Sequence, residues 1–262
     1  MNARTLGSGN LTIVLAHGYG GDQSVWDKVL PPLAANHRVL VFDWCFSGAV
    51  DHNSTLYDPI RHSRYEGFAE DVIGLIDEMK IGSCVFVGHS MSGMIGCIAS
   101  IKRPDLFTRL VLVGPSPRYI NTEDYEGGFD KSDIDNILSS IESDFEDWAS
   151  KFPSLVVDSS DATSVEKFQK CLKRMRPEVA LSMAKTVFLC DYRDILDKIE
   201  KPCDVIQTRS DVVVPSSVPE FLERKLKGKC KVKMIKSTEG HFPQLTANIE
   251  FVEVLEDILV GY

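Results

Sequence analysis

The sequence predicts an α/β fold: a mostly parallel sheet covered by helices on both sides, with an all-helical insertion in its second half. Three observations predict it. Short β-branched runs recur along the chain, several of them apolar on consecutive residues, which is how strands buried on both faces of a parallel sheet read. Segments with apolar residues at helical spacing lie between these runs. The alternation then stops between about Arg118 and Asp191, where strand signals vanish and helical ones take over.

Taken in order, the strand signals fall at Thr12–Ala16, Arg38–Phe42, Ser83–Val87, Arg109–Val113, Asp204–Thr208 and Lys231–Ile235. In "YEGFAEDVIGLIDEMK", Phe68, Val72, Leu75, Ile76 and Met79 share one helical face. Within the insertion, "KSDIDNILSSIESDFEDWASKF" carries Ile134, Ile137, Leu138, Ile141, Phe145 and Trp148 as one stripe, with Ser132 placed to cap it. A second helical pair surrounds Pro177. Val165, Phe168, Leu172 and Met175 precede it, and Val179, Met183, Val187 and Phe188 follow. Pro177 suits the first turn of a new helix, where its missing N–H would be unpaired anyway. An insertion of this kind reads as a lid over the carboxyl edge of the sheet, where open α/β sheets bind ligands. Residues 1–117 and 191–262 are then the two parts of the core, and 118–190 the lid.

Composition narrows the function. A chain of 262 residues, 44% hydrophobic and 26% charged, can bury a substantial core and is not compositionally disordered. Its formal charge of −9 argues against nucleic acid or an anionic membrane as partner. The cysteines at 45, 84, 97, 171, 190, 203 and 230 are odd in number and scattered, without a CxxC pair or a Cys/His cluster that suggests zinc. They are expected to be buried, reduced thiols. The N-terminal "MNARTLGSGN" lacks an apolar signal region, and no apolar run approaches membrane-spanning length, so a soluble intracellular protein is expected.

The chemistry centres on "VFVGHSMSGMIG", residues 85–96. It is one residue away from the strand-turn-helix signature G-x-S-x-G that exposes a nucleophilic serine, with Ser92 in place of the second glycine and Gly93 one position late. A serine hydroxyl needs a base, and the base an orienting acid, in the order Ser, Asp or Glu, His. Asp211 after "CDVIQTRSD" and His241 in "STEGHFPQL" fill those places behind Ser90. The oxyanion donors are expected to be the backbone N–H groups of Met91 and Tyr19, the latter in "AHGYGGDQSVW", where Gly18, Gly20 and Gly21 permit a tight turn. His17 and His89 are assigned packing or hydrogen-bonding roles, and His37, His52 and His62 are expected to be solvated. Asp43 precedes the serine, and Asp191 and Asp194 read as helix-end charges at the lid's exit, so none of the three displaces Asp211. The elbow tolerates only small flanking residues, and Ser92 adds only a hydroxymethyl group.

"HGYGGDQSVW", "VGHSMSGMIGCIAS", "RPDLF", "SPRYINTEDYEGGF" and "EGHFPQL" together resemble the plant karrikin-receptor and strigolactone-receptor family, the KARRIKIN INSENSITIVE and DWARF-fourteen proteins. The resemblance covers essentially the whole chain. It implies an α/β-hydrolase fold with a four-helix, V-shaped lid inserted after the sixth strand, no cofactor and no metal. It implies a monomer in cytoplasm and nucleus that binds a small apolar butenolide, cleaves it slowly, and recruits an F-box protein with leucine-rich repeats and a repressor. Ser90, Asp211 and His241 match the family triad. Tyr19 stands where the family commonly has Phe, and Tyr119, Phe129, Ile137, Trp148, Phe152, Phe188 and Val213 match pocket-lining places. The segment "DWCFSGAVDHNSTLYDP" departs from the karrikin-type pattern and stands nearer the strigolactone-type one, which leaves the subfamily open. An ordinary carboxylesterase or lactonase without a signalling role is the alternative reading, and a non-catalytic binding module with a decayed site a third.

Overall fold

The computed structural model describes residues 1–51, 56–226 and 230–260; His52 of the sequence reading lies outside them. Seven described strands form one sheet: β1 (Arg4–Leu6), β2 (Thr12–Ala16), β3 (Arg38–Val41), β4 (Cys84–His89), β5 (Phe107–Val113), β6 (Cys203–Thr208) and β7 (Cys230–Ile235). Their order is β1-β3-β2-β4-β5-β6-β7, parallel throughout except that β1 pairs antiparallel with β3. The six sequence-predicted strands are all present. Only β1 escaped prediction, since three residues at a sheet edge carry no periodicity. Every residue of β2, β4 and β6 is buried, which explains the apolar runs at the centres of β2 and β4, whereas the edge strand β7 is buried at its two ends and exposed at Lys231 and Met234.

Helices cover the sheet. α1 (Leu30–Asn36) packs on β3, and α2 (Tyr65–Glu78) packs on α3 (Met91–Lys102), which lies against β4 and β5. The predicted stripe of α2 is real, with Phe68, Val72, Leu75 and Ile76 buried. Four lid helices follow β5: α4 (Lys131–Ser143), α5 (Phe145–Val156), α6 (Ala162–Lys173) and α7 (Pro177–Phe188). The lid therefore enters after the fifth strand in chain order, not the sixth, because the N-terminal segment supplies a single described edge strand ahead of β2. The chain closes with α8 (Ser217–Lys225), α9 (Pro243–Thr246) and α10 (Asn248–Val260).

Two lid expectations are corrected. The stripe from Ile134 to Trp148 is cut in two at Asp144, which leaves helical geometry (φ −153°, ψ 85°) and caps α5 by accepting from the Asp147 N–H at 2.9 Å. The cap of α4 is Asp130, not Ser132, because Asp130 and Asp133 exchange side-chain and backbone bonds in a capping box. Pro177 does open α7. All seven cysteines are free, and all but the half-buried Cys190 are buried. Burial pushes the Cys45, Cys84 and Cys97 thiols up to about 12. No described helix is long and apolar enough to cross a membrane.

The helix that follows the elbow sits unusually close to the sheet. A Cβ on Gly96 of α3 would lie 2.5 Å from the ring of Phe86, which is itself fully buried in β4 and has nowhere to go. Gly96→Ala is expected to destabilise the fold by about 1–3 kcal/mol through overpacking, read as a lower urea midpoint with unchanged m-value.

Candidate active site

The strand β4 ends at His89, and the chain turns into α3 through Ser90 at φ 57° and ψ −124°, a conformation that costs a non-glycine residue about 1–3 kcal/mol. Tight neighbours hold it there. A Cβ on Gly88 would stand 2.4 Å from the Ser92 carbonyl oxygen, and one on Gly93 would meet Pro115 at 3.1 Å. The Ser90 N–H donates to the Val113 carbonyl of β5 at 2.8 Å, and its own carbonyl accepts from Gly93 N–H at 2.9 Å. The expected elbow is formed. Ser92 is more than a tolerated substitution, because its hydroxyl donates to the His17 carbonyl at 2.5 Å and accepts from Trp44 Nε1–H at 3.0 Å. The first turn of α3 is thereby bonded to the loop after β2, a link that spacing in the sequence did not reveal.

Asp211, just after β6, and His241, in the loop after β7, come together as expected. His241 Nδ1 lies 2.7 Å from Asp211 Oδ2, and both side chains are almost wholly buried. The carboxylate is held in turn, since Oδ1 accepts from the Val213 N–H at 2.8 Å and the Val214 N–H at 3.2 Å. A carboxylate on Nδ1 keeps the proton there and leaves Nε2 as the basic nitrogen. Nε2 has no hydrogen-bond partner among the described residues. Ser90 Oγ lies 3.5 Å from Tyr119 Oη, within hydrogen-bond reach.

Serine and histidine share one cavity of about 30 Å³ with Tyr19, Tyr119, Phe152, Phe188 and Val213. Those five are pocket residues, as predicted. Phe129, Ile137 and Trp148 are not among its lining: Phe129 packs behind Phe188 at 5.9 Å between ring centres, and Trp148 stacks on Phe152 at 4.7 Å. Ile137 is a partly buried residue packed on the core. Helical periodicity marked their apolar face correctly but could not say which turns reach the cavity. Val156, Phe168 and Val187 line it and went unrecognised for the same reason, and Phe242 lines it from the loop beside His241.

The loop that carries Tyr19 lies against the elbow. Gly20 takes φ 77°, and a Cβ on Gly18 would come within 3.0 Å of the Ser90 Cβ, so the loop passes the serine at contact distance. Met91 is the first residue of α3, where N–H groups lack intrahelical partners. Burial raises both Tyr19 and Tyr119 well above the usual phenol range, and it lowers His17 and His89. Those groups stay neutral near pH 7.

The comparisons with known proteins agree with this geometry. A family model for the alpha/beta hydrolase fold matches residues 12–247. A karrikin insensitive 2 receptor of Petunia hybrida is 44% identical over 97% of this chain and 93% of its own. A strigolactone esterase of Arabidopsis thaliana is 40% identical over 99% and 96%. The chain belongs to the karrikin- and strigolactone-receptor family of α/β-hydrolases. Among solved structures, a hydrolase from Oleispira antarctica superimposes with a TM-score of 0.88 at 29% identity, covering 96% of this chain and 94% of that one.

Within this α/β-hydrolase the remaining candidates sort cleanly. His17 accepts from the Trp44 N–H through Nε2 at 3.1 Å, so Nδ1 donates to the Gly18 carbonyl at 2.8 Å. His89 Nε2 bonds the His241 carbonyl at 2.8 Å, which fits the hydrogen-bonding role expected of it. Asp43 accepts from Asn2 and Gln23, and Asp191 is paired with Arg118 and Arg193 at the lid's exit. His37 is half-buried against Glu256. His62 contradicts its reading as solvated: it is fully buried, because Asp71 and the Asp58 backbone satisfy its nitrogens inside an aromatic sandwich.

Tyr19 carries one further consequence. Its hydroxyl donates to the Ala180 carbonyl of α7 at 2.9 Å, tying the loop after β2 to the lid. Tyr19→Phe is expected to cost about 0.5–1.5 kcal/mol of stability. It should also raise amide hydrogen exchange in α7 relative to α2, measured by mass spectrometry.

Proposed function

We propose that the protein is a butenolide receptor of strigolactone or karrikin type, with slow serine-hydrolase activity through Ser90, His241 and Asp211. The carrying observation is the Asp211–His241 pair at 2.7 Å in the same apolar cavity as a serine held at φ 57°. In this reading Ser90 Oγ attacks the carbonyl of an ester or lactone as His241 Nε2 takes its proton. The tetrahedral oxyanion is met by the Met91 and Tyr19 N–H groups. His241 returns the proton to the leaving oxygen, and water, activated by the same imidazole, releases the acyl group from Ser90. The cavity lining is aromatic and aliphatic apart from Ser90, His241 and two tyrosine hydroxyls, which suits a small uncharged lactone.

The cavity's size supports a receptor role. At about 30 Å³ it is some tenfold below the range of roughly 300–1,000 Å³ usual for ligand pockets. Ligand entry therefore requires displacement of lid side chains or helices, and a lid that differs between free and occupied states is what a partner can read. The partners of this reading are an F-box protein with leucine-rich repeats and a repressor, met in cytoplasm or nucleus by a monomeric receptor. The names of the petunia and Arabidopsis relatives, one a receptor and one an esterase, support both halves of the proposal.

Ser90→Ala is expected to reduce turnover of a fluorogenic butenolide on the order of 10³-fold or more while retaining much of the reversible affinity, measured by fluorescence and thermal shift. Unchanged turnover removes Ser90 from the mechanism. Asp211→Asn should leave the fold intact and lower turnover on the order of 10³–10⁴-fold, because the imidazole loses its fixed tautomer. For the signalling half, purified F-box partner should bind only, or much better, with butenolide present. Indifference of the partner together with rapid hydrolysis of generic esters would make the protein an ordinary carboxylesterase.

A further inference from the structure

The segment that delivers His241 to the site is held jointly by the core and the lid. On the core side, the Gly240 N–H donates to the Ser210 carbonyl at 2.6 Å and the Thr208 hydroxyl donates to the Gly240 carbonyl at 2.7 Å. His89 Nε2–H donates to the His241 carbonyl at 2.8 Å. On the lid side, the His241 N–H donates to the Val156 carbonyl at 2.6 Å, and Val157 and Gly240 form a β-bridge. Gly240 takes φ 81°, and a Cβ there would lie 2.8 Å from the Asp158 nitrogen and 2.9 Å from the Val156 carbonyl oxygen. The two segments thus meet at a point that only glycine fits.

The turn from α5 to α6 adds one charged group to this junction. Asp158 Oδ2 accepts from the Thr238 hydroxyl at 2.9 Å and from the Glu239 N–H at 3.2 Å. Its other oxygen, Oδ1, accepts from the Ser160 N–H at 3.0 Å and the Ser160 hydroxyl at 2.6 Å. Thr238 is buried, and its single hydroxyl proton goes to the carboxylate, because a charged acceptor outcompetes the Glu239 carbonyl at 3.1 Å. One oxygen therefore folds the lid turn on itself, and the other fastens that turn to the two residues ahead of Gly240. The Ser160 hydroxyl above all, then the Ser160 N–H, the Glu239 N–H and the Thr238 hydroxyl, hold the Asp158 carboxyl down at about 2. It is ionised in the neutral range and can accept all four bonds.

Asp158 takes no part in the chemistry itself. It does not line the cavity, and the carboxylate that His241 needs at Nδ1 is already supplied by Asp211. What Asp158 does hold is the chain that carries the imidazole. A base displaced by about 1 Å can cost on the order of 10²-fold in rate, so the support of that chain bears directly on proton transfer.

We propose, on the reading of Ser90, His241 and Asp211 as the hydrolytic triad, that Asp158 is a positioning residue, holding segment 238–241 against the lid turn so that His241 Nε2 stands in the cavity it shares with Ser90. The lid is then part of the support of the histidine, and a shift of the α5–α6 turn passes to Thr238 and Glu239 through one carboxylate. Asparagine at this position keeps the size but turns one acceptor oxygen into an NH2 donor. That donor must face either the Ser160 pair or the Thr238 and Glu239 pair, and the clamp is lost at one end.

The test is steady-state hydrolysis of a fluorogenic butenolide, with hydrogen exchange read by mass spectrometry and folding checked by thermal shift. Asp158→Asn should lower kcat about 5- to 30-fold and change KM by less than about twofold, since residue 158 does not touch the cavity. Exchange over segment 238–241 should rise in the same variant. Thr238→Val should lower kcat similarly, and the double variant should be no slower than the slower single one, because the two residues act through one bond. Glu239→Gln changes a surface pair with Arg209 on the same loop and leaves the backbone N–H in place, so its kcat should match the unsubstituted protein. An unchanged kcat in Asp158→Asn, losses that multiply in the double variant, or an equal loss in Glu239→Gln overturns the proposal. Should Asp158→Asn not fold, an unchanged kcat in Thr238→Val overturns it equally. Full turnover by Ser90→Ala defeats the hydrolase reading and this proposal with it. Turnover lost in Ser90→Ala but kept in Asp158→Asn leaves the reading standing and overturns the proposal alone.

Discussion

The backbone at Ser90 is the constraint on which the rest of the structure depends. A positive φ on a residue with a side chain persists only where the surroundings leave no alternative, and here they come from four directions. β5 takes the Ser90 N–H, the turn of α3 takes its carbonyl, Gly88 lets the returning chain pass, and Ser92 bonds the turn to the loop after β2. Gly96 extends the same logic by letting α3 ride against Phe86. A strand buried on both faces, followed at once by a helix pressed on the sheet, leaves the serine hydroxyl standing at the sheet's carboxyl edge.

The lid is bonded to the loops that surround this serine and not only laid over them. Tyr19 of the loop after β2 is tied to α7, and the His241 N–H donates to the Val156 carbonyl at the end of α5 at 2.6 Å. Val157 and Gly240 form a β-bridge beside it, and Arg118 pairs with Asp191 where the lid leaves and rejoins the core. Displacing α5 or α7 therefore pulls on the histidine loop or the loop after β2 through hydrogen bonds of ordinary strength, about 1 kcal/mol each in net terms. Such links are weak enough to exchange and directional enough to couple the shape of the lid to the site.

What could be read from the sequence was what depends on burial and chain order. Double-sided burial writes itself as consecutive apolar residues in β2 and β4, and β-branched runs marked the other strands, whereas β1 is a three-residue edge ladder. The order Ser90, Asp211, His241, each just past a strand, named the three groups that meet. Long-range polar bonds leave no such trace. Nothing in "FDWCFS" says that Trp44 reaches Ser92, and the polar neighbours of His62 concealed that Asp71 and two aromatic rings bury it. The Ile134–Trp148 stripe looked continuous because a helix break at Asp144 followed at once by a new helix barely disturbs the period.

The site combines a finished half and an unfinished one. Asp211 and His241 are locked together by a short bond and by backbone donors to the carboxylate, whereas Ser90 Oγ faces Tyr119 and His241 Nε2 has no described partner. In the proposed mechanism Ser90 Oγ and His241 Nε2 must come into hydrogen-bond contact before the proton moves. The cavity they share is about 30 Å³ and is walled in part by residues from α5, α6 and α7, so a lid movement that admits a ligand also changes the surroundings of both groups. Binding free energy spent on opening the lid is then unavailable for lowering the chemical barrier. In the proposed reading, slow turnover and a lid that reports occupancy would follow from one mechanical arrangement.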